Sequence, residues 1–289
     1  MGAIRETTWD DLDDVVELLA ARSRAVFGVS EVQREQVAQS WELPGYDIGW
    51  VAVANGGIVG HAALDATHDV VHAAADPADG DALLERVEQR ARERGFDDVA
   101  LRVVPEDGPL YGLVRRGGFT MQREIVRMWR PLTEPFDEAR WPDDVAVRTY
   151  SDTDGDRVHA LLDETYAAWD LDYVPRSHDS WLAFMTDHDE FDPELFFLVE
   201  RHGELVACAL HWKEVNGRGW VKDIVVRTDQ RGRGLAKALL QHAFRSYADR
   251  GVAKVGLKVD STNPTGALQL YERLGFVTDQ RQGLWVKRL

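Results

Sequence analysis

The stretch Val225–Phe244, VVRTDQRGRGLAKALLQHAF, changes character in its middle. An apolar strand-like run from Trp220 closes at Val226, two Arg-Gly pairs follow at Arg231–Gly234, and apolar residues then recur at helical spacing from Leu235. A loop that runs straight into a helix leaves the first backbone N–H groups of that helix without intrahelical partners. Gly232 and Gly234 remove the Cβ atoms that would hold a ligand away from those amides, and Arg231 and Arg233 add positive charge. The loop therefore predicts a site for a phosphate or pyrophosphate. It is not the nucleotide P-loop, because Lys237 is followed by Ala238 where Ser or Thr is required, and it lacks the third glycine of the dinucleotide fingerprint.

Outward from this loop the chain repeats itself. AIRETTWDDLDDVVELL from Ala3 is similar to AVRTYSDTDGDRVHALL from Ala146, and WVAVANGGIVGHAAL from Trp50 to FFLVERHGELVACAL from Phe196. LLERVEQRARERGFDDVALRV from Leu83 matches LLQHAFRSYADRGVAKVGLKV from Leu239, and two stretches of equal length, from Gly117 and from Leu274, end the halves. A repeat this long means two copies of one domain. The expected division is 1–132 and 145–289, joined by the acidic, proline-bearing linker TEPFDEARWPDD at 133–144. Each copy reads as a strand, an acid-capped amphipathic helix, a hairpin, a strand, the loop and its helix, a further strand, a short helix and a closing strand. In the second copy the first strand is expected at Val145–Thr149, the first helix from about Asp154, and the last helix over NPTGALQLYERLG with Pro264 in its first turn. The fold class is α+β (mixed α/β), with helices on the faces of a sheet.

The chain of 289 residues is 44% hydrophobic, enough for a real core, and no apolar run approaches a membrane span. There is one cysteine, Cys208, read as a small buried hydrophobe, so no internal disulfide forms. With no basic-then-apolar leader at the N-terminus, the reading is cytoplasmic. A net charge of −16 repels nucleic acid and anionic membrane, so neither is an expected partner, and it favours a cationic small substrate. An anionic cofactor must be held by a local pocket against that field.

Arg231-x-x-Gly234-x-Ala236 resembles the [Q/R]-x-x-G-x-[G/A] signature of the GNAT acyltransferase superfamily, and Asn263–Phe276, NPTGALQLYERLGF, resembles its second signature. The resemblance covers nearly all of the second half and, through the repeat, the first half in outline. It implies a splayed mixed sheet in each of two tandem GNAT-like domains, with acetyl-CoA (coenzyme A) as co-substrate in the cleft. Val225 and Val226 would offer main-chain bonds to the pantetheine arm, and the amides of Arg231, Gly232, Arg233, Gly234, Leu235 and Ala236 would cradle the pyrophosphate. Asn263 matches the family's cofactor-contacting asparagine and Tyr271 its thiolate-protonating tyrosine. Asp223 on the strand before the loop is the candidate base, with Glu214 and His211 behind it; alternation places Asp223 on one face with Val221 and Val225. The tandem layout looks like that of mycothiol synthase-like actinobacterial acetyltransferases, although Trp220 stands where they carry a carboxylate.

The first copy lacks these features. Ala75 replaces Arg231, Asp76 and Ala78 replace the two glycines, Asp79 and Asp81 follow, and Val114 stands at the place of Tyr271. Carboxylates there repel a pyrophosphate, so the first domain is expected to be non-catalytic. The additional residues of the second copy fall within 163–196, where Trp169, Asp170, Asp172, Tyr173 and Trp181 are candidates to surround a cationic amine. His61, His68 and His72 have no acidic or cysteine partner at ligand spacing, so no metal is expected. The leading reading is an N-acetyltransferase acting on a small-molecule amine. A non-enzymatic acyl-CoA sensor or scaffold and a protein or peptide N-acetyltransferase are the alternatives, and a homodimer is left open.

Overall fold

The computed structural model describes every residue except Met1, Glu31, 66–68, 170–172, His188 and Asn216, and only the backbone of Glu214 and Val215. The chain forms two compact units, Met1–Ile125 with Arg281–Leu289, and Val126–Gln280. Both are mixed α+β.

The first unit contains β1 (Ala3–Glu6), α1 (Leu12–Phe27), α2 (Arg34–Glu42), β2 (Asp47–Ala54), β3 (Gly57–Leu64), β4 (Val70–Ala74), α3 (Pro77–Glu93), β5 (Asp98–Val103), α4 (Gly108–Arg116) and the start of β6 (Thr120–Pro131). Strands β1-β2-β3-β4 form an antiparallel sheet. Leu83, Leu84, Val87 and Ala91 of α3 pack on Trp50, Ala52, Ala62 and Leu64 of that sheet, a spacing of three and four residues that sets one helix face on the core.

The second unit contains the end of β6, β7 (Ala146–Thr149), α5 (Gly155–Ala167), α6 (His178–Thr186), β8 (Phe196–Arg201), β9 (Glu204–Val215), β10 (Arg218–Val226), α7 (Leu235–Asp249), β11 (Lys254–Asp260), α8 (Ala267–Arg273) and the start of β12 (Val277–Arg288). Its strands run β6-β11-β10-β9-β8-β7, antiparallel from β7 to β10 and parallel between β10 and β11. Strand β8 shows why two helix layers are needed. Phe196 and Leu198 point to the α5 and α6 side, whereas Phe197 and Val199 point to the α7 side, where Leu235, Leu239, Ala243, Phe244 and Tyr247 cover them. Each such large apolar side chain contributes about 1.5–3 kcal/mol on burial. Cys208 is buried in the α5 layer, where desolvation pushes its thiol well above its ordinary range.

The repeat is visible in side-chain geometry. Arg5 donates to both oxygens of Asp11 at 2.7 and 2.6 Å, and Asp11 also accepts the Thr8 amide at 2.8 Å. Arg148 donates to Asp154 at the same two distances, and Asp154 accepts the Ser151 amide at 2.9 Å. In each case the arginine holds its carboxyl well below the usual range, and the first strand is tied to the following helix.

The two units exchange chain ends. Residues Val126–Pro131, at the end of β6, belong to the second unit. Gly283–Arg288, at the end of β12, belong to the first, where they pair antiparallel with Asp98–Val103 of β5.

Candidate active site

Strands β10 and β11 pair only over Arg218–Trp220, opposite Lys254–Gly256. Gly256 stands at the point of divergence; a Cβ there would lie 2.5 Å from the Trp129 ring and 2.8 Å from the Trp220 ring. Beyond it, Val221–Val226 of β10 and Leu257–Asp260 of β11 form opposite walls of a cleft of about 400 Å³. The splay thus opens the sheet at the carboxyl end of two parallel strands, where backbone groups that would otherwise pair with each other face the cleft.

A β-bulge aims the carboxylate on β10. Val221 pairs with His211 but Asp223 pairs with Leu210, so two steps on β10 oppose one on β9. Strict alternation would put Val221, Asp223 and Val225 on one face; instead Val221 joins the α7 core and Val225 the α5 core. Asp223 lies on the α5 side, where its Oδ1 accepts a 2.5 Å hydrogen bond from the Tyr166 hydroxyl and its Oδ2 sits 3.4 Å from Lys222 Nζ. Burial and Asp223 together hold the Tyr166 phenol far above its ordinary pKa, so it stays a donor. His211 is fully buried among Phe197 and Tyr247 and does not line the cleft; the Glu214 side chain lies outside the described residues.

The other end of the cleft is the glycine loop. Gly232 and Gly234 have φ of +76° and +82°, a region that glycine enters without strain. Gly234 caps α7 and offers no side-chain hydrogen bond, so the first amides of a 15-residue helix stay open at the cleft. Arg231, Gly232, Gly234, Leu235 and Ala236 line it with Val225 and Val226. Arg233 is turned aside, donating to Gln230 Oε1 at 2.7 Å and to Asp144 at 2.5 Å, and braces the loop. Helix α8 begins at Ala267 after Gly266, which has φ +76°, so Pro264 is not in its first turn. Pro264 instead sits in a turn that Asn263 closes by accepting the Thr265 amide at 2.9 Å, and Asn263 and Tyr271 both line the cleft. Tyr271 is 6% exposed; burial first, and Asp223 second, push its phenol well above the ordinary value.

On the α5 side Thr165, Tyr166 and Trp169 line the cleft. Tyr173 is stacked on Tyr166 at 5.4 Å and donates to Asp163 at 2.5 Å, one layer behind. Trp181 is 7% exposed, packed in the α5–α6 core beside His159, and is not a cleft residue. Asp170 and Asp172 lie outside the described residues. Tyr166, Thr165 and Lys222 were missed by sequence reasoning. The helical spacing of Leu162, Thr165, Tyr166 and Trp169 carried the signal for the first two.

The matching place in the first unit is filled. Asp76 accepts the Ala78 amide at 2.8 Å and Pro77 occupies the first turn, so α3 caps itself. Arg22, which the repeat aligns with Thr165, donates to the His72 carbonyl at 2.6 Å and pairs with the nearly buried Asp107. The cavity left at the start of α3 is about 20 Å³, whereas a separate one of about 500 Å³ lies between α1, α2 and β5 on the far side of Arg22 and Asp107. His61 and His72 are buried with their Nε2 atoms 3.0 Å from the Ile48 and Gly80 carbonyls; His68 lies outside the described residues.

A splayed sheet whose cleft joins an open helix N-terminus to a buried tyrosine and a bulge-borne carboxylate is the arrangement of an acyltransferase of the GNAT type. The chain belongs to the GNAT acetyltransferase family. Residues 156–276 match the family model described as Acetyltransferase (GNAT) family. Over 96% of its length the chain is 30% identical to the mycothiol acetyltransferase of Streptomyces coelicolor, covering 92% of that protein. It is 34% identical to the mycothiol acetyltransferase of Acidothermus cellulolyticus over 57% of this chain, and spans about half, 54%, of that relative's length. The crystal structure of a GCN5-related N-acetyltransferase from Sphaerobacter thermophilus superposes over 99% of this chain and 95% of that one, with a TM-score of 0.79 at 26% identity. A tandem GNAT protein from the clavulanic acid biosynthesis pathway shares the fold over the whole chain, with a TM-score of 0.69 at 16% identity. No helix among the described residues is long and apolar enough to cross a membrane.

Proposed function

We propose that the protein is an acetyl-CoA-dependent N-acetyltransferase, that its chemistry takes place in the second unit, and that its acceptor is a small-molecule amine. The observation that carries this reading is the single cleft lined by the uncapped N-terminus of α7, Tyr271 and Asp223. Its size and its open amides suit the pantetheine arm and pyrophosphate of acetyl-CoA, with Val225 and Val226 along the arm and Arg231–Ala236 around the phosphates. Cys208 does not serve an acyl-enzyme route, because it is buried, its thiol is held protonated by desolvation, and it is not a cleft residue.

Direct transfer needs a neutral amine and a protonated leaving thiol. Asp223, directly or through a water, takes the proton of the acceptor's ammonium. The amine nitrogen then forms the bond to the acyl carbon as the carbon–sulfur bond breaks. Tyr271, kept in its protonated form by burial, supplies a proton to the departing sulfur, and the second proton of the nitrogen restores it through solvent. The first unit, with its self-capped helix and no room at the start of α3, is non-catalytic in this reading. The relatives' names point to an amine acceptor of the mycothiol type, but the strand position at which those enzymes are expected to carry a carboxylate is Trp220, packed edge-on against Trp129. Incubation with acetyl-CoA and an amine library, followed by thiol release, tests the reading. Tight acetyl-CoA binding without turnover of any amine would sink it in favour of a sensor.

A further inference from the structure

Lys222 is the extra residue of the β10 bulge, and it lines the cleft beside Asp223. Its ammonium is 3.4 Å from Asp223 Oδ2, 5.4 Å from the Phe184 ring centroid and 5.8 Å from that of Trp212. Phe184 is 40% exposed, and the Arg176 guanidinium lies 4.4 Å over its ring. The cleft therefore presents a carboxylate and an ammonium side by side, with Tyr166 and Trp169 also on its wall, while Phe184 and Trp212 lie behind the ammonium. A base that merely receives an amine has no use for a cation at this distance, which weakens the hold of Asp223 on an incoming ammonium. The pair is complementary to a molecule that carries an ammonium and a carboxylate at comparable spacing, docked head to tail. Such a zwitterion is neutral overall, so the −16 charge of the chain does not repel it, as it would a net anion. A second ammonium on the acceptor, as in a polyamine, would meet Lys222 and be disfavoured.

We propose that the acceptor is a free amino acid with an apolar side chain, bound as its zwitterion, with Asp223 taking its ammonium and Lys222 its carboxylate. Tyr166, Trp169 and Ile224 offer the apolar surface that the cleft presents near these two groups. The inference rests on the transferase reading above. The test is thiol release from acetyl-CoA with a panel of amino acids, their amides and their decarboxylated amines. Apolar amino acids are expected to exceed their amides and amines about tenfold or more in kcat/KM. In Lys222→Gln the KM for the amino acid should rise about tenfold, with acetyl-CoA affinity unchanged, and the gap to the amide should close. Equal turnover of amide and acid, or a gap that persists in Lys222→Gln, overturns the proposal. If no amino acid in the panel is acetylated although another amine of the library is, this proposal alone fails; if acetyl-CoA binds and no amine of any kind is acetylated, the transferase reading fails and takes this one with it.

Discussion

The Tyr166 hydroxyl donates a 2.5 Å hydrogen bond to Asp223, joining helix α5 to the bulge of β10. The helix thereby fixes the direction of the carboxylate that the proposed mechanism uses as its base. Tyr166→Phe keeps the ring, its stacking on Tyr173 and the cleft wall, and removes only the donor. The expected result is a fall of about tenfold in kcat with little change in acetyl-CoA affinity, because a loosely held base loses orientation. Steady-state kinetics beside calorimetric binding of acetyl-CoA would show it, and equal loss in both would mean that Tyr166 shapes the cofactor pocket instead.

Tyr271→Phe is expected to lower kcat about a hundredfold or more while acetyl-CoA binding changes about twofold at most. Since burial raises the Tyr271 phenol above its ordinary value of 10.0, the wild-type rate should show no descending limb from this group below pH 10. Wild-type turnover by the variant would remove Tyr271 from the mechanism.

The glycine loop predicts an asymmetry between the copies. Gly234→Ala forces a Cβ into a left-handed conformation, at roughly 1–2 kcal/mol, and sets a methyl group at the mouth of the α7 amides. Acetyl-CoA affinity should fall about tenfold or more. Asp76→Ala, at the N-cap of α3 as Gly234 is at that of α7, should leave it unchanged, because the cavity there is only about 20 Å³. Titration of both variants with acetyl-CoA decides the matter; a response to Asp76→Ala would assign cofactor binding to the first unit.

Acid should destabilise the second unit through His211. Its ring is wholly buried, neither nitrogen has a hydrogen-bond partner among the described residues, and desolvation lowers its pKa to about 3. Above the ordinary value of 6.5 the ring is neutral folded or unfolded, and the full stability is present. Between 6.5 and about 3 only the unfolded chain takes up the proton, so stability falls as pH drops, by about 1.4 kcal/mol per pH unit for this one group. His61 and His72, lowered by burial to about 4, add the same trend in the first unit. Urea midpoints of His211→Phe should depend less steeply on pH between 6 and 4 than those of the parent; an identical slope would place the linkage elsewhere.

The loop and its helix were legible because Gly232, Gly234 and Arg231 act locally, through backbone conformation and charge. The α+β class was legible because the two halves agree on element order. What escaped depends on partners distant in sequence. The bulge that turns Asp223 toward α5 exists only in register with β9, and no spacing within WVKDIVV reveals it. Asn263 and Pro264 resemble the opening of a helix, yet the positive φ of Gly266 delays α8 to Ala267 and leaves a turn facing the cleft. Trp181 has the composition of a pocket residue, and only its burial beside His159 assigns it to the core. Arg233 carries the charge of an anion ligand, but Asp144 claims it.

The exchange of chain ends has a consequence for inheritance. Residues 126–131 serve the second unit and 281–289 the first, so the first unit is assembled from two separate stretches of the gene, and the second, although one unbroken stretch, begins inside the first sequence copy. A recombination event within the acidic segment 133–144 would not trade one whole domain for another. It would part each unit from a strand end that belongs to it.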